Sequence, residues 1–356
     1  MAFAIIENGV DTMQKKKIIY LDILRILASI AVITIHVAAQ NWNVFAVNTF
    51  EWGSFNFFNS MSRWAVPVFC MISGALFLDC DRKVKIQKLY SKNIVRMAIS
   101  FLVWSVFYLF LIHDVKTMSI TEIIKTVCLG NYHMWYIFLI IGFYILVPIL
   151  RKISSTKEST LYFILVGIVV TFVIPTLLLI PQLAWAKKAL NQAFLNLPLG
   201  YTPYVFIGHY LVKYGITKKT KTLIYTAGLI SAVLIPVGTL VLSQESGKFY
   251  GEFYAYDSLT GLAQAVFVFL LFKDMFEDKT FSKRTEKFIS SLSKDTFGVY
   301  MVHVFSIMFI ENVLHFESFT INPYIAIPVI VVGSYVISEI ISFILNRIPV
   351  IKNYIV

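Results

Sequence analysis

Long apolar stretches alternate along the chain with short polar, lysine-rich ones. That alternation predicts ten helices, near residues 21–41, 54–79, 94–113, 133–150, 161–181, 199–213, 222–243, 257–273, 296–315 and 323–345. Most run for about 17–25 residues, the length at which a helix rising 1.5 Å per residue crosses a hydrocarbon core near 30 Å. The sixth is short and the eighth borderline. No fixed-period repeat, low-complexity tract or appended soluble domain interrupts the pattern. The expected fold is an all-α, polytopic integral membrane protein of about ten transmembrane helices. A tail over 1–17 would precede one membrane domain over 18–345, and a second tail over 346–356 would follow it. A cleavable signal peptide is not expected, because the first apolar run starts after residue 17 and lacks a small-residue cleavage site.

Composition points the same way. Hydrophobic residues make up 58% of the chain and charged ones only 14%, against about a quarter charged in a soluble domain. With 31 Phe and 19 Tyr among 356 residues, lipid is the natural solvent. The net charge of +11 raises nucleic-acid binding as an alternative until the charges are placed. On a ten-helix thread, 25 of the 31 Lys and Arg fall in the N-terminal tail with Arg25, in 80–96, 151–160, 213–221 and 273–295, and at the C-terminus. The opposite loops hold only Lys116, Lys125, Lys187, Lys188 and Lys248. Such a bias places both termini in the cytoplasm of a multi-pass protein of the inner (plasma) membrane. The excess charge is then a topology signal, and nucleic acid is not an expected partner. Cys70, Cys80 and Cys128 fall in three different compartments, so no disulfide framework is expected.

Against that apolar background the first helix, with "YLDILRILASIAVITIHVAAQNW" at 20–42, carries three ionisable residues. Arg25 and His36 are eleven residues apart, about 20° past three full turns, so they project from one face roughly 16 Å apart. Ser29 shares that stripe and Asp22 lies about a turn before Arg25. Ionisable residues at membrane depth are costly and face a cavity or a partner. Two alternatives stand for each: His36 either fixes helix packing through a hydrogen bond or does chemistry, and Arg25 either reaches the headgroups or holds a ligand.

Four segments in order resemble the membrane-bound acyltransferase family 3, a ten-helix group of bacterial O-acyltransferases. The first is the Arg-x10-His pair beginning "LDILRILA". The second is "VPVFCMISGALFL" (66–78), the third "HMWYIFLIIGFYILVPIL" (133–150) and the fourth "TFGVYMVHVF" (296–305). The resemblance runs from about residue 18 to 345. One departure stands out: where the family often carries Arg-x-x-Arg at the start of its third helix, this chain has Asn93 and Arg96, with Lys92 adjacent. The resemblance implies an acyl-CoA donor, acetyl-CoA being the expected one, drawn from the cytoplasm. It also implies an acceptor hydroxyl or amine on a cell-envelope carbohydrate or lipid-linked sugar. Arg25, Lys92 and Arg96 are then candidates to hold the donor's phosphates, since cations recognise phosphate. His36 is the candidate general base, with a transient acyl carrier as the alternative, and His303 with Tyr300 could orient the thioester or share a proton, a packing hydrogen bond being the equal alternative.

Arg63, His133 and Trp135 sit toward the outer face and are the acceptor-binding candidates. Arg63 there needs a carboxylate, for which Glu51 is one option, or a wet cavity or an anionic lipid. Ser73 and Gly74 are small enough to let two helices approach closely. Glu311 and Glu339 are intramembrane acids without an assigned role, and His113, His209 and His315 fall near helix ends, where an interfacial place is expected. No HExxH or paired-histidine spacing suggests a metal. A carrier that moves a solute or glycan intermediate without acylating it is the competing function, and a lipid-binding scaffold a third. Membrane lipids are partners in every case, and both a monomer and a homo-oligomer remain open.

Overall fold

In hydrocarbon every backbone N–H and C=O needs an internal partner, and the apolar stretches meet that demand as helices. The computed structural model describes residues 18–179, 182 and 200–355. The expected tail over 1–17, residues 180–181 and 199 of two expected helices, Lys187, Lys188 and Val356 lie outside the described residues. Helix α1 spans Ile19–Gln40, α2 Phe50–Ser62, α3 Ala65–Phe77 and α4 Ile86–Ile112. Then follow α5 Ile120–Leu129, α6 Trp135–Ile153, α7 Lys157–Leu177 and α8 Thr202–Lys213. The last five are α9 Lys218–Ser246, α10 Leu259–Phe276, α11 Lys283–Met308, α12 Pro323–Leu345 and α13 Pro349–Tyr354. Among the described residues there is no strand, and nine helices are long and apolar enough to cross a membrane, with α2 and α3 counted as one span. The chain is a polytopic all-α membrane protein.

The expected helix left out of these nine is the sixth, α8, whose 12 residues are too few to span. Three other expectations are adjusted. The single helix expected over 54–79 breaks at Arg63–Trp64, because Pro67 lacks the N–H that would bond the Arg63 carbonyl and its ring crowds that oxygen. Helix α11 begins at Lys283 rather than 296; its charged first half, expected to be loop, is helical and buries Ser290, Ser293 and Asp295. Helix α5 was not expected. It is amphipathic and starts in a capping box between Ser119 and Glu122.

The described basic segments gather at one end of the bundle. Lys213 pairs with Asp79 at 2.9 Å and Asp81 at 3.0 Å. Lys221 pairs with Asp274 at 2.7 Å, and Asn346 donates to Asp295 at 2.6 Å. The Arg151 guanidinium donates to the carbonyls of Phe77, Asp79 and Arg82 at 2.6, 2.9 and 2.7 Å, satisfying groups the end of α3 leaves open. Burial alone would raise the Asp79 carboxyl, but the Lys213 ammonium, the Asp81 N–H and Arg82 outweigh it and hold it below its ordinary value.

Helix α8 lies against α3 across two glycines. A Cβ on Gly74 would sit 1.7 Å from the Val205 carbonyl oxygen, and one on Gly208 would sit 2.1 Å from that of Met71. Both obstacles are backbone, so the approach depends on the missing side chains. It also seats Tyr204 and Phe206, each fully buried. Gly74→Ala should therefore lower the thermal midpoint in detergent by an amount typical of overpacking, about 1–3 kcal/mol or more. Gly53→Ala and Gly142→Ala, whose Cβ atoms meet nothing within 4 Å, should leave it unchanged or slightly raised, since alanine is the better helix former by about 1 kcal/mol. Equal midpoints for Gly74→Ala and Gly142→Ala would contradict this packing.

Candidate active site

Helix α1 supplies the axis of the site. Near its inner end Asp22, Arg25, Ser290 and Ser293 form a closed, buried network, with Asp22 only 1% and Arg25 3% exposed. Arg25 Nη1 donates to Asp22 Oδ1 at 3.2 Å and to Ser293 Oγ at 2.7 Å. Ser293 Oγ donates to the same carboxylate oxygen at 2.6 Å, and Ser290 Oγ to the other at 3.3 Å. Arg25 Nη2 is buried without a partner, and the residue borders a cavity of about 360 Å³ that also takes in Ser29 and His36. The stripe expected on α1 is thus one wall of that cavity, and Arg25 lies in the interior rather than reaching to headgroups.

At mid-depth three histidines converge. The His36 and His303 ring centroids are 5.1 Å apart, those of His133 and His303 5.0 Å, and those of His36 and His133 6.5 Å. His303 Nδ1 lies 2.7 Å from the Tyr300 carbonyl oxygen. Carbonyls only accept, so Nδ1 carries the proton in that bond, and the buried Nε2 is an unbonded acceptor. The Tyr300 hydroxyl donates to the His133 carbonyl, which commits its proton to holding the third histidine. His133, expected at an outer boundary, is 1% exposed, because the 3-10 turn Tyr132–Met134 folds it inward.

The outer end is aromatic and cationic. Arg63, at the α2–α3 break, places its guanidinium 4.6 Å from the Tyr254 ring centroid, a contact worth about 0.5–2 kcal/mol. Glu51, one option for its partner, makes no ion pair, and among the described residues no carboxylate pairs with Arg63. Trp135 stacks on Tyr201 at 5.9 Å and Tyr201 on Tyr256 at 4.1 Å. Trp135 remains 44% exposed. These tyrosines were the residues that sequence reasoning missed. Their signal was present in the clustered "YTPY" (201–204), inside the expected helix 199–213, and in "FYGEFYAY" (249–256), outside the expected helices.

The remaining candidates divide. Arg96 is half-buried over the Phe297 ring at 5.8 Å, and Phe297 and Met97 border the cavity. Lys92 is exposed, on a π-helical stretch (Leu89–Ile94) within α4, and does not border it. Glu311 and Glu339 also lie off the cavity, the first hydrogen-bonded to Gln40 and the second to Asp295. His209 is buried beside the Tyr214 ring, close to the Asp79, Lys213 and Arg151 cluster at the basic end. All three cysteines are free thiols. Among the described residues no group of three metal-ligating side chains could hold an ion.

A cationic inner end, a cluster of imidazoles at mid-depth and an open outer end fit a transferase that works across a membrane, and the comparison with known families agrees. A family model described as an acyltransferase domain, that of acyltransferase family 3, matches residues 18–347. The chain belongs to that family and is a membrane acyltransferase. No curated protein and no solved structure matches it.

The Asp22–Arg25 network gives a direct expectation. Removing one partner of a buried pair strands the other, at about 3–5 kcal/mol. Asp22→Ala should lower the thermal midpoint markedly, while Asp22→Ala combined with Arg25→Met should recover much of the loss. No recovery in the double variant would show that the two residues act independently.

Proposed function

We propose that the protein transfers an acyl group, acetyl being the expected one, from acyl-CoA at the basic end of the bundle to a hydroxyl or amine of a cell-envelope carbohydrate, with His36 as general base. The observation that carries this reading is the single cavity bordered by Arg25, His36, His303 and Arg63. The basic end is taken as cytoplasmic on the charge bias, and both termini with it. The protein then resides in the inner membrane. The donor's phosphates meet Arg25 and Arg96, with Lys92 at the rim, and the pantetheine arm extends toward the histidines.

Neutral His36 accepts the proton of the acceptor hydroxyl as its oxygen attacks the thioester carbonyl carbon. The carbon–oxygen bond forms, the carbon–sulfur bond breaks, and the imidazolium returns the proton to the departing thiolate. No net proton is gained or lost. His303, with Nδ1–H held by the Tyr300 carbonyl, offers Nε2 as a second acceptor beside His36. Tyr300 positions His133 through its backbone. No metal is required at any step.

The test uses full-length protein in nanodiscs with radiolabelled acetyl-CoA and an envelope glycan extract. His36→Ala should reduce label transfer by about 10²–10⁴-fold, the usual contribution of a general base, with an unchanged gel-filtration profile. His303→Ala should reduce it less. Undiminished transfer by His36→Ala would end the general-base assignment. Solute uptake with intact acetyl-CoA would point to the carrier function.

A further inference from the structure

An arginine stays charged at membrane depth and is normally matched there by a carboxylate or an ion. Arg63 has neither among the described residues, and its Nε is buried without a hydrogen-bond partner. The Tyr254 ring beneath it is held in place. Its hydroxyl bonds Asn56, whose amide donates to the Pro236 carbonyl at 2.8 Å. The cation therefore rests on a fixed ring face, an arrangement that leaves the N–H fork of the guanidinium free to take a planar or tetrahedral oxyanion. Beside it, Trp135, Tyr201 and Tyr256 form a stacked platform, the Tyr201 and Tyr256 planes 18° apart. No Asp or Glu appears among the described cavity-lining residues to compete for the cation.

We infer that this outer tier is a subsite for an anionic sugar, with a carboxylate or phosphate oxygen on the Arg63 fork and the apolar C–H face of the sugar ring against the Trp135–Tyr201 platform. The inference rests on the acceptor role proposed for this end of the cavity and names the acceptor's chemistry. A neutral glycan would leave the guanidinium unmatched in an apolar wall, whereas an anionic one supplies the missing charge. The aromatic platform selects a ring over a bare anion, because inorganic phosphate has no face to stack.

The experiment measures binding without any acyl donor. Full-length protein in phosphatidylcholine nanodiscs is titrated with octyl glucuronide and with octyl glucoside by calorimetry. The wild type should bind the glucuronide at least tenfold more tightly. Arg63→Gln should bring the two affinities within about twofold, and Arg63→Lys should retain part of the preference. The thermal midpoint of ligand-free Arg63→Gln should fall only slightly, since the contact with the Tyr254 ring is lost but no intramolecular ion pair is. Equal affinities in the wild type, or a preference that survives Arg63→Gln, would overturn the inference. So would a preference abolished in phosphatidylglycerol nanodiscs, which would assign Arg63 to a lipid headgroup. Preferential glucuronide binding without acetyl-CoA consumption would keep the subsite and remove the transferase assignment. Transfer to neutral and anionic acceptors at equal rates would do the reverse.

Discussion

A guanidinium that cannot be neutralised, placed where water is scarce, must be met by fixed partners. Arg25 meets them on its own helix in Asp22 and across the bundle in Ser293. Because Ser293 serves both ions, the bond is between helices as well as charges, and it sets the register of α1 against α11. The two helices run in the same direction. Eleven residues of α1 lead from Arg25 to His36 and ten of α11 from Ser293 to His303, rises of about 16.5 and 15 Å. The second contact, His36 with His303 at 5.1 Å, is thus the first repeated three turns higher. Locking the inner end aims the imidazoles.

Irregular backbone does the rest of the positioning. Pro67 ends α2 early and brings Arg63 to the cavity wall. The glycine-lined contact of α3 with α8 draws Tyr204 and its neighbour Tyr201 inward. Two π-helical stretches depart from regular helix as well, Leu89–Ile94 just ahead of Arg96 and Phe309–Val313 around Glu311. Departures of this kind persist at functional sites, where they turn a side chain that a regular helix would point elsewhere.

Much of the fold was legible because lipid makes hydrophobic length a direct readout of span number. The Arg25–His36 stripe followed from helical geometry alone. The unseen parts share a cause: each depends on contacts distant in sequence or on local departures from 3.6 residues per turn. Ser293 meets Arg25 across 268 residues, in a charged segment whose composition read as loop. His133 turns inward on a 3-10 step that hydropathy does not register. Arg63 borders the cavity, one of the options its charge at depth allowed, but the Tyr254 face beneath it gives no charge signal in the sequence. Lys92, beside the helix position where the family often carries an arginine, points outward from a π-helical stretch that its sequence does not announce.

The distribution of charge in the cavity also bears on the chemistry proposed for it. Two guanidiniums border it and, among its described lining residues, no carboxylate does. Attack on a thioester builds negative charge first on the carbonyl oxygen and then on sulfur. At an effective dielectric near 20, a cation about 10 Å from that charge contributes roughly 1.7 kcal/mol. Of the two, Arg25 is offset by Asp22 at 3.2 Å and lies about 16 Å along α1 from His36, so Arg63 is the cation whose field would reach that charge. In the mechanism proposed above, the burial that makes an unpaired Arg63 expensive would serve the leaving group, and a carboxylate beside it in this wall would cancel that benefit.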